Sequence, residues 1–370
     1  MNRRQLFKSS VAASVAAATC STGPIILGAD DKAGSKNPVL GVEGHKYEVT
    51  THAWGELPPD YAWQTTHNVA FDSAGNAYIT HQGIGKQMDV VLVFDPKGKF
   101  VRSFGKEFWG GGHGVEIRKE GSDEFCYLSN TWTKNELKVM KTTLKGEVVW
   151  KMGRPECKEY EDTKRNYNPT NICFTADGGF VVGDGYGSAY MMHYDKDAKL
   201  VKTFGGPGNK LGQLATPHGQ WVDARNKDKP VLVVCDRANA RLHTFGLEGK
   251  AISATDPGKV VLFPAHAKTR GDVLLVPDLH ARVSLFGKDN KLICHLGEET
   301  PSADNLMWRA WVVGSLDGKN NLGPAVRTQP KEWRAGKFVH PHDAAFDHDG
   351  NIVVVEWVST GRVSFLKKVG

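Results

Sequence analysis

Residues 91–105 read VLVFDPKGKFVRSFG: four apolar residues in a row, a polar Asp-Pro-Lys-Gly-Lys break, then a run in which apolar and polar residues alternate. Asp and Pro open tight turns and Gly supplies a positive φ, so the stretch spells strand, turn, strand. The unit recurs as MMHYDKDAKLVKTFG (191–205), RLHTFGLEGKAISAT (241–255) and RVSLFGKDNKLICHLG (282–297), with a looser copy, LKVMKTTLKGEVVWKMG (137–153). A second hairpin precedes each copy: HNVAFDSAGNAYIT (67–80), HGVEIRKEGSDEFCYLS (113–129), TNICFTADGGFVVGDG (170–185), HGQWVDARNKDKPVLVVCD (218–236) and HAKTRGDVLLVPD (266–278). HDAAFDHDGNIVVVEW (342–357) is the sixth.

Two hairpins per period of roughly 40 to 50 residues make a four-stranded meander, and six periods predict an all-β, six-bladed β-propeller over residues 45–370. The sixth period is one strand short, because RVSFLKKVG (362–370) supplies only a third. HKYEVTTHAWG (45–55) is the expected fourth, closing the ring from the N-terminal side and removing an exposed sheet edge. Residues 30–44, polar and Gly-rich, read as a flexible tether. Two segments break the rhythm, 153–167 and an insert at about 298–337 with Trp308, Trp311 and Trp333. Both should lie on the mouth where the inner strands begin, the insert as a lid or a packed cap. Glu156, Glu159, Glu161 and Asp162 in the first read as a solvated acidic face.

Residues 1–29, MNRRQLFKSSVAASVAAATCSTGPIILGA, put a charged start before a small-residue apolar stretch and end on a cleavage-like Leu27-Gly28-Ala29. Arg3-Arg4-Gln5-Leu6-Phe7-Lys8 resembles the twin-arginine signal. That resemblance implies bacterial export of a folded, often metal-loaded protein to the periplasm or beyond. Gly23-Pro24 interrupts the apolar stretch, so no integral membrane segment is expected after processing. The formal charge is +6, three of the cations sit in the leader, and no Lys/Arg block follows; this argues against a nucleic-acid partner. Beyond Cys20, five cysteines show neither CxxC nor a close pair, so at least one thiol is free and a disulfide scaffold is excluded.

Aligning the six inner hairpins places His67, His113, Thr170, His218, His266 and His342 at one position, the start of the channel-lining strand. Five of the chain's 14 histidines share it. Clustered imidazoles repel when charged, whereas neutral ones around a cavity suit a divalent metal. Three nitrogen ligands with one position open is how catalytic zinc polarises a substrate oxygen; imidazole also accepts iron and copper.

The repeat resembles the NHL-repeat propeller family. Within it, His113-Gly114-Val115, Pro217-His218-Gly219 and Pro341-His342-Asp343, on blades 2, 4 and 6, resemble the zinc histidines of the peptidyl-α-hydroxyglycine amidating lyases. The resemblance implies Zn2+ or another transition metal on His113, His218 and His342. Asp184-Gly185-Tyr186 is similar to the segment carrying that family's base, and Asp236-Arg237-Ala238-Asn239-Ala240-Arg241 to its DRxNxR segment. Tyr186 and Arg237 would then be catalytic, one moving a proton of a hemiaminal hydroxyl and the other facing an anion. Both motifs also recur across NHL propellers as strand ends that tie blades together. The family's structural Ca2+ would map onto the Val69 and Val115 carbonyls and the Asp343 carboxylate. Three departures stand out. Gln82 replaces a second active-site arginine, Gly187 replaces a cysteine, and His340 adds an imidazole beside His342; with His67 and His266 it is a further channel candidate.

These readings point to an exported metal-dependent lyase acting on a small-molecule or peptide substrate. The alternative is a non-catalytic propeller that presents a face to protein or glycan while its histidines hold a structural ion. A calcium-dependent lactonase or hydrolase ranks last, since its carboxylate-and-asparagine cluster is not visible at the channel positions.

Overall fold

The computed structural model describes residues 37–84, 88–132, 134, 136–162, 164–298 and 325–370. The expected leader, most of the tether, and Trp308 and Trp311 of the insert lie outside these residues. Six antiparallel sheets follow one another along the chain. Their first strands are Thr66–Phe71, Gly112–Glu120, Asn171–Phe174, Pro217–Asp223, Lys268–Arg270 and Pro341–Phe346. Each lies against the first strands of the sheets before and after it, and the last lies against the first. The chain is a six-bladed β-propeller with these strands around its axis.

The sixth sheet is completed from the N-terminal side, as the strand count predicts. From the axis outward it runs Pro341–Phe346, Ile352–Glu356, Arg362–Lys368 and His45–Thr51, with Tyr47 opposite Lys368 and Val49 opposite Leu366. A fifth strand was not expected. Val39–Val42, inside the stretch read as a tether, pairs with His45–Thr51 through a two-residue turn in which Gly44 has φ 78. Leu40 packs onto the core between blades 5 and 6. Gly44, one of the glycines that suggested flexibility, is instead a turn former in a hairpin anchored by Leu40.

Val91–Phe94 shows why apolar runs here are unbroken. Val91 and Val93 pack toward blade 2, while Leu92 and Phe94 pack toward blade 6. Side chains alternate faces along a strand, and both faces of each blade are covered by neighbours. Six separate cores result, one at each blade-to-blade interface. The Asp95 turn is fastened locally: its Oδ1 accepts the Lys97 and Lys99 N–H groups at 2.9 Å each, and Gly98 takes φ 83.

A second device pins the mouth where the inner strands begin. Asp236, Asp278 and Glu356 end the second strands of blades 4 to 6, Asp184 directly follows that of blade 3, and all four are fully buried. Their carboxylates accept backbone N–H groups of the chain entering the inner strand, from Asn168, Ala215, Leu262 and Phe263, and Val339 and His340 respectively. In blades 4 to 6 an arginine, Arg241, Arg282 or Arg362, donates to the same acid. The structural role read for the DRxNxR segment is therefore filled by its Asp236, Asn239 and Arg241, which bond to one another. Arg237 is left over.

His52 fastens the segment after the insert. Its Nε2 accepts the Gly336 N–H at 3.0 Å, so the ring proton sits on Nδ1, which donates to Ser364 Oγ at 2.7 Å. Burial, and then the Arg362 charge, hold its pKa well below the usual 6.5. A folded pKa below the unfolded one contributes stability that is complete above pH 6.5 and lost as the pH falls. The stability gap between wild type and His52→Gln should therefore narrow by up to about 1.4 kcal/mol per pH unit below 6.5, measured by denaturant unfolding at pH 7.5 and 5.

Candidate metal centre

His67, His113, His218 and His342 are each the second residue of an inner strand, and all four are buried. In each of these four blades the register to the second strand shifts at this place: between Thr66 and Val69, Gly112 and Val115, Pro217 and Gln220, and Pro341 and Asp343. A bulge bends its strand and re-aims a side chain. Blade 3 keeps a regular register here; in blade 5 the shift lies between Pro264, which pairs with Asp278, and Lys268, so that Ala265 and not His266 takes the equivalent second place. The four rings converge. Centroid separations are 4.7 Å for His67–His113, 4.9 Å for His113–His218, 4.6 Å for His218–His342 and 4.8 Å for His342–His67, with His113–His342 at 5.0 Å.

The blade 2, 4 and 6 imidazoles share one support. Nδ1 of His113 bonds the Thr170 carbonyl at 2.6 Å, Nδ1 of His218 that of Ala265 at 2.7 Å, and Nδ1 of His342 that of His67 at 2.7 Å. Each acceptor lies on the following blade. A carbonyl can only accept, so the proton is on Nδ1 and the Nε2 lone pair is bare, the tautomer a metal-bound histidine uses. Nε2 of His113 and His342 is buried with no hydrogen-bond partner. Nε2 of His218 meets the Tyr186 hydroxyl at 2.8 Å, and that oxygen also accepts from Arg237 at 3.0 Å. Burial pushes His113 down to about pKa 3 and holds His67, His218 and His342 well below 6.5, so all four rings are neutral at neutral pH.

Arg237 is a buried guanidinium that has no carboxylate partner among the described residues. Its Nε donates to the Pro264 carbonyl at 3.3 Å, and one terminal nitrogen has no partner. A buried cation left this way seeks an anion. Sequence reasoning missed two neighbours. Trp132, exposed and at φ 60, lies 4.6 Å from the Tyr186 ring. Arg327, from the end of the insert, stacks 3.5 Å over Trp357, and its charge, like that of Arg237, opposes protonation of His67. Neither carries a repeat signal, since both lie in irregular connections. Trp333 of the insert is buried among Val326, Val339 and Val358 and packs as a cap.

Other expected members are placed elsewhere. His266 faces Glu116 and Asp343, its Nε2 3.5 Å from the first and its Nδ1 3.7 Å from the second, because it lies two residues beyond the Pro264–Asp278 pair where the other four histidines lie one residue beyond theirs. His340 gives Nδ1 to the Leu279 carbonyl at 2.7 Å and lies against Trp357. Gln82 is half-buried at the end of the blade 1 second strand, its backbone N–H on the Thr65 carbonyl. The calcium expectation is corrected outright. Lys268 Nζ bonds the Val69 carbonyl at 2.5 Å and Asp343 at 2.9 Å, and lies 3.1 Å from Glu116. A buried ammonium already occupies two of the three expected calcium donors, and Val115 has no such role. Despite burial, the Asp343 and Glu116 carboxylates keep the Lys268 pKa raised.

No family model matches the chain. Among solved structures, a luciferin-regenerating enzyme superposes with TM-score 0.52 at 11% identity, over 84% of this chain and 93% of that one. Virginiamycin B lyase from Staphylococcus aureus does so with TM-score 0.50 at 12% identity, over 83% and 96%. The likeness is one of fold. Chemistry has to be argued from the channel itself.

Proposed function

We propose that the protein is an exported metal-dependent lyase of the kind its channel histidines resemble, cleaving a carbon–nitrogen bond in a hydroxylated, anionic substrate such as a peptidyl-α-hydroxyglycine. The observation that carries this reading is the repeated support of His113, His218 and His342, each anchored at Nδ1 on the next blade with Nε2 turned inward. Two Nε2 atoms without a hydrogen-bond partner among the described residues, and a third that meets only the Tyr186 hydroxyl, fit a divalent transition ion on neutral rings. Such an ion, zinc among the candidates, supplies a Lewis acid for a substrate oxygen when bound. The leader-like residues 1–29 support export.

The remaining chemistry belongs to side chains. Tyr186 stands between His218 and Arg237 with its hydroxyl at the cluster. Arg237 donates to that oxygen and keeps a terminal N–H group free for a substrate carboxylate. As the C–N bond breaks and the carbonyl forms, the substrate hydroxyl proton passes to the Tyr186 oxygen and the tyrosine's own proton passes to the amide nitrogen. Peptide amide and glyoxylate account for every atom. Trp132 flanks the tyrosine as an exposed stacking surface.

The test is glyoxylate release from a peptidyl-α-hydroxyglycine by metal-loaded protein. Tyr186→Phe should keep its metal and lose roughly 10²–10⁴-fold in turnover, the range for a positioned acid or base. Equal turnover in wild type and Tyr186→Phe would remove the tyrosine from the mechanism. No turnover by loaded wild type on any hydroxylated amide would leave a binding propeller.

A further inference from the structure

We infer that His67 is a fourth ligand, so that the channel ion is held by four imidazoles rather than three. This rests on the reading that the channel holds an ion, and it concerns a residue outside the expected triad. Among the described residues, one group of three metal-competent side chains brings its ligand atoms within 4.8 Å of one another, and it is His67, His113 and His342. The expected trio of His113, His218 and His342 shares an edge with it. The four centroids form a rhombus whose short diagonal is His113–His342, so those two rings face both His67 and His218. Ligation by all four requires the His67 and His218 rings to draw in toward the His113–His342 pair until each nitrogen reaches a bond length of about 2.0–2.1 Å.

Hydrogen bonding separates His67 from a space-filling imidazole. It is buried, and among the described residues neither ring nitrogen has a hydrogen bond, Nδ1 being sealed from solvent. An unmade bond of this kind costs about 1–3 kcal/mol, and buried rings normally avoid it. His266 and His340, the channel histidines outside the rhombus, each have Nδ1 satisfied by backbone. The His67 carbonyl holds Nδ1 of His342, so its backbone is already part of the support. The same strand bulge turns all four side chains inward. Four neutral nitrogen donors without carboxylate or thiolate select a late first-row divalent ion and reject Ca2+ and Mg2+.

Two measurements test this on the full chain. Pulsed EPR of the Cu2+-loaded wild type counts coordinated imidazoles: four are expected, and three would overturn the proposal without any variant. Co2+ titration of metal-free protein supplies the second. His67→Phe keeps the ring volume and should weaken Co2+ binding by at least about tenfold, the lower range for losing even an outer-shell partner. It should also alter the visible d–d band, because the coordination number falls. Wild-type affinity and spectrum in both His67→Phe and His67→Asn would overturn the fourth ligand alone. Failure of the wild type to take up Co2+ or Cu2+ would overturn the ion itself.

Discussion

His113→Ala is expected to abolish transition-metal binding, lowering affinity by about a hundredfold or more, while the protein still unfolds cooperatively. His113 belongs to both trios of rings, with His67 and His342 and with His218 and His342, so its loss breaks either arrangement. Its Nε2 is buried and unpartnered, which leaves metal ligation as the interaction that side chain lacks. The fold should survive because the six cores lie between blades and His113 is in none of them. Losing the bond to the Thr170 carbonyl costs about 1–3 kcal/mol, a fraction of what six apolar interfaces hold. Isothermal titration with Zn2+ beside a thermal melt separates the two effects. An unfolded variant would mean that the channel, not the interfaces, organises the ring.

Lys268→Met should destabilise the protein by about 3–5 kcal/mol, the cost of removing one partner from a buried ionic group. The ammonium is 5% exposed and bridges Val69, Asp343 and Glu116. Methionine fills similar volume and leaves two buried carboxylates facing each other without a cation. Burial has pushed Glu116 up to about 7 even with the Lys268 charge pulling it down, so loss of that cation raises it further. The companion expectation concerns calcium: neither EGTA nor added Ca2+ should move the wild-type melting temperature, since the cation in this position is covalently part of the chain. Urea unfolding of the variant and calcium-dependent melts of the wild type check both. A wild type stabilised by Ca2+ would restore the expectation this structure corrects.

The apolar runs and polar turns carry the propeller openly, because the blades repeat the same physics: two covered faces and a turn fastened by a side chain of its own, a carboxylate in five blades and the Thr143 hydroxyl in blade 2. Strand closure followed from a missing partner for Arg362–Lys368. The channel was legible only in part. His113, His218, His342, Tyr186 and Arg237 come together because each sits at a repeated strand end. Repeat position could not separate His67 from His266, since the difference is a single residue of register: His67 follows directly on the residue paired with the end of the second strand, and His266 lies one further on. Lys268 lies two residues after His266, on the inward face by alternation. Its partners Val69, Glu116 and Asp343 come from three other blades, so nothing local marks it as a cation filling a cation site. Val39–Val42 was hidden by composition, with the glycines outweighing its one packed residue, Leu40.

The most direct test of a metal centre in this channel is elemental analysis of the untagged protein, purified without added metal. Zinc or another transition metal at about one equivalent per chain is the expected result, the stoichiometry of a single histidine site. Protein that carries no transition metal as isolated, and takes up none when Zn2+, Fe2+ or Cu2+ is supplied, would contradict the account.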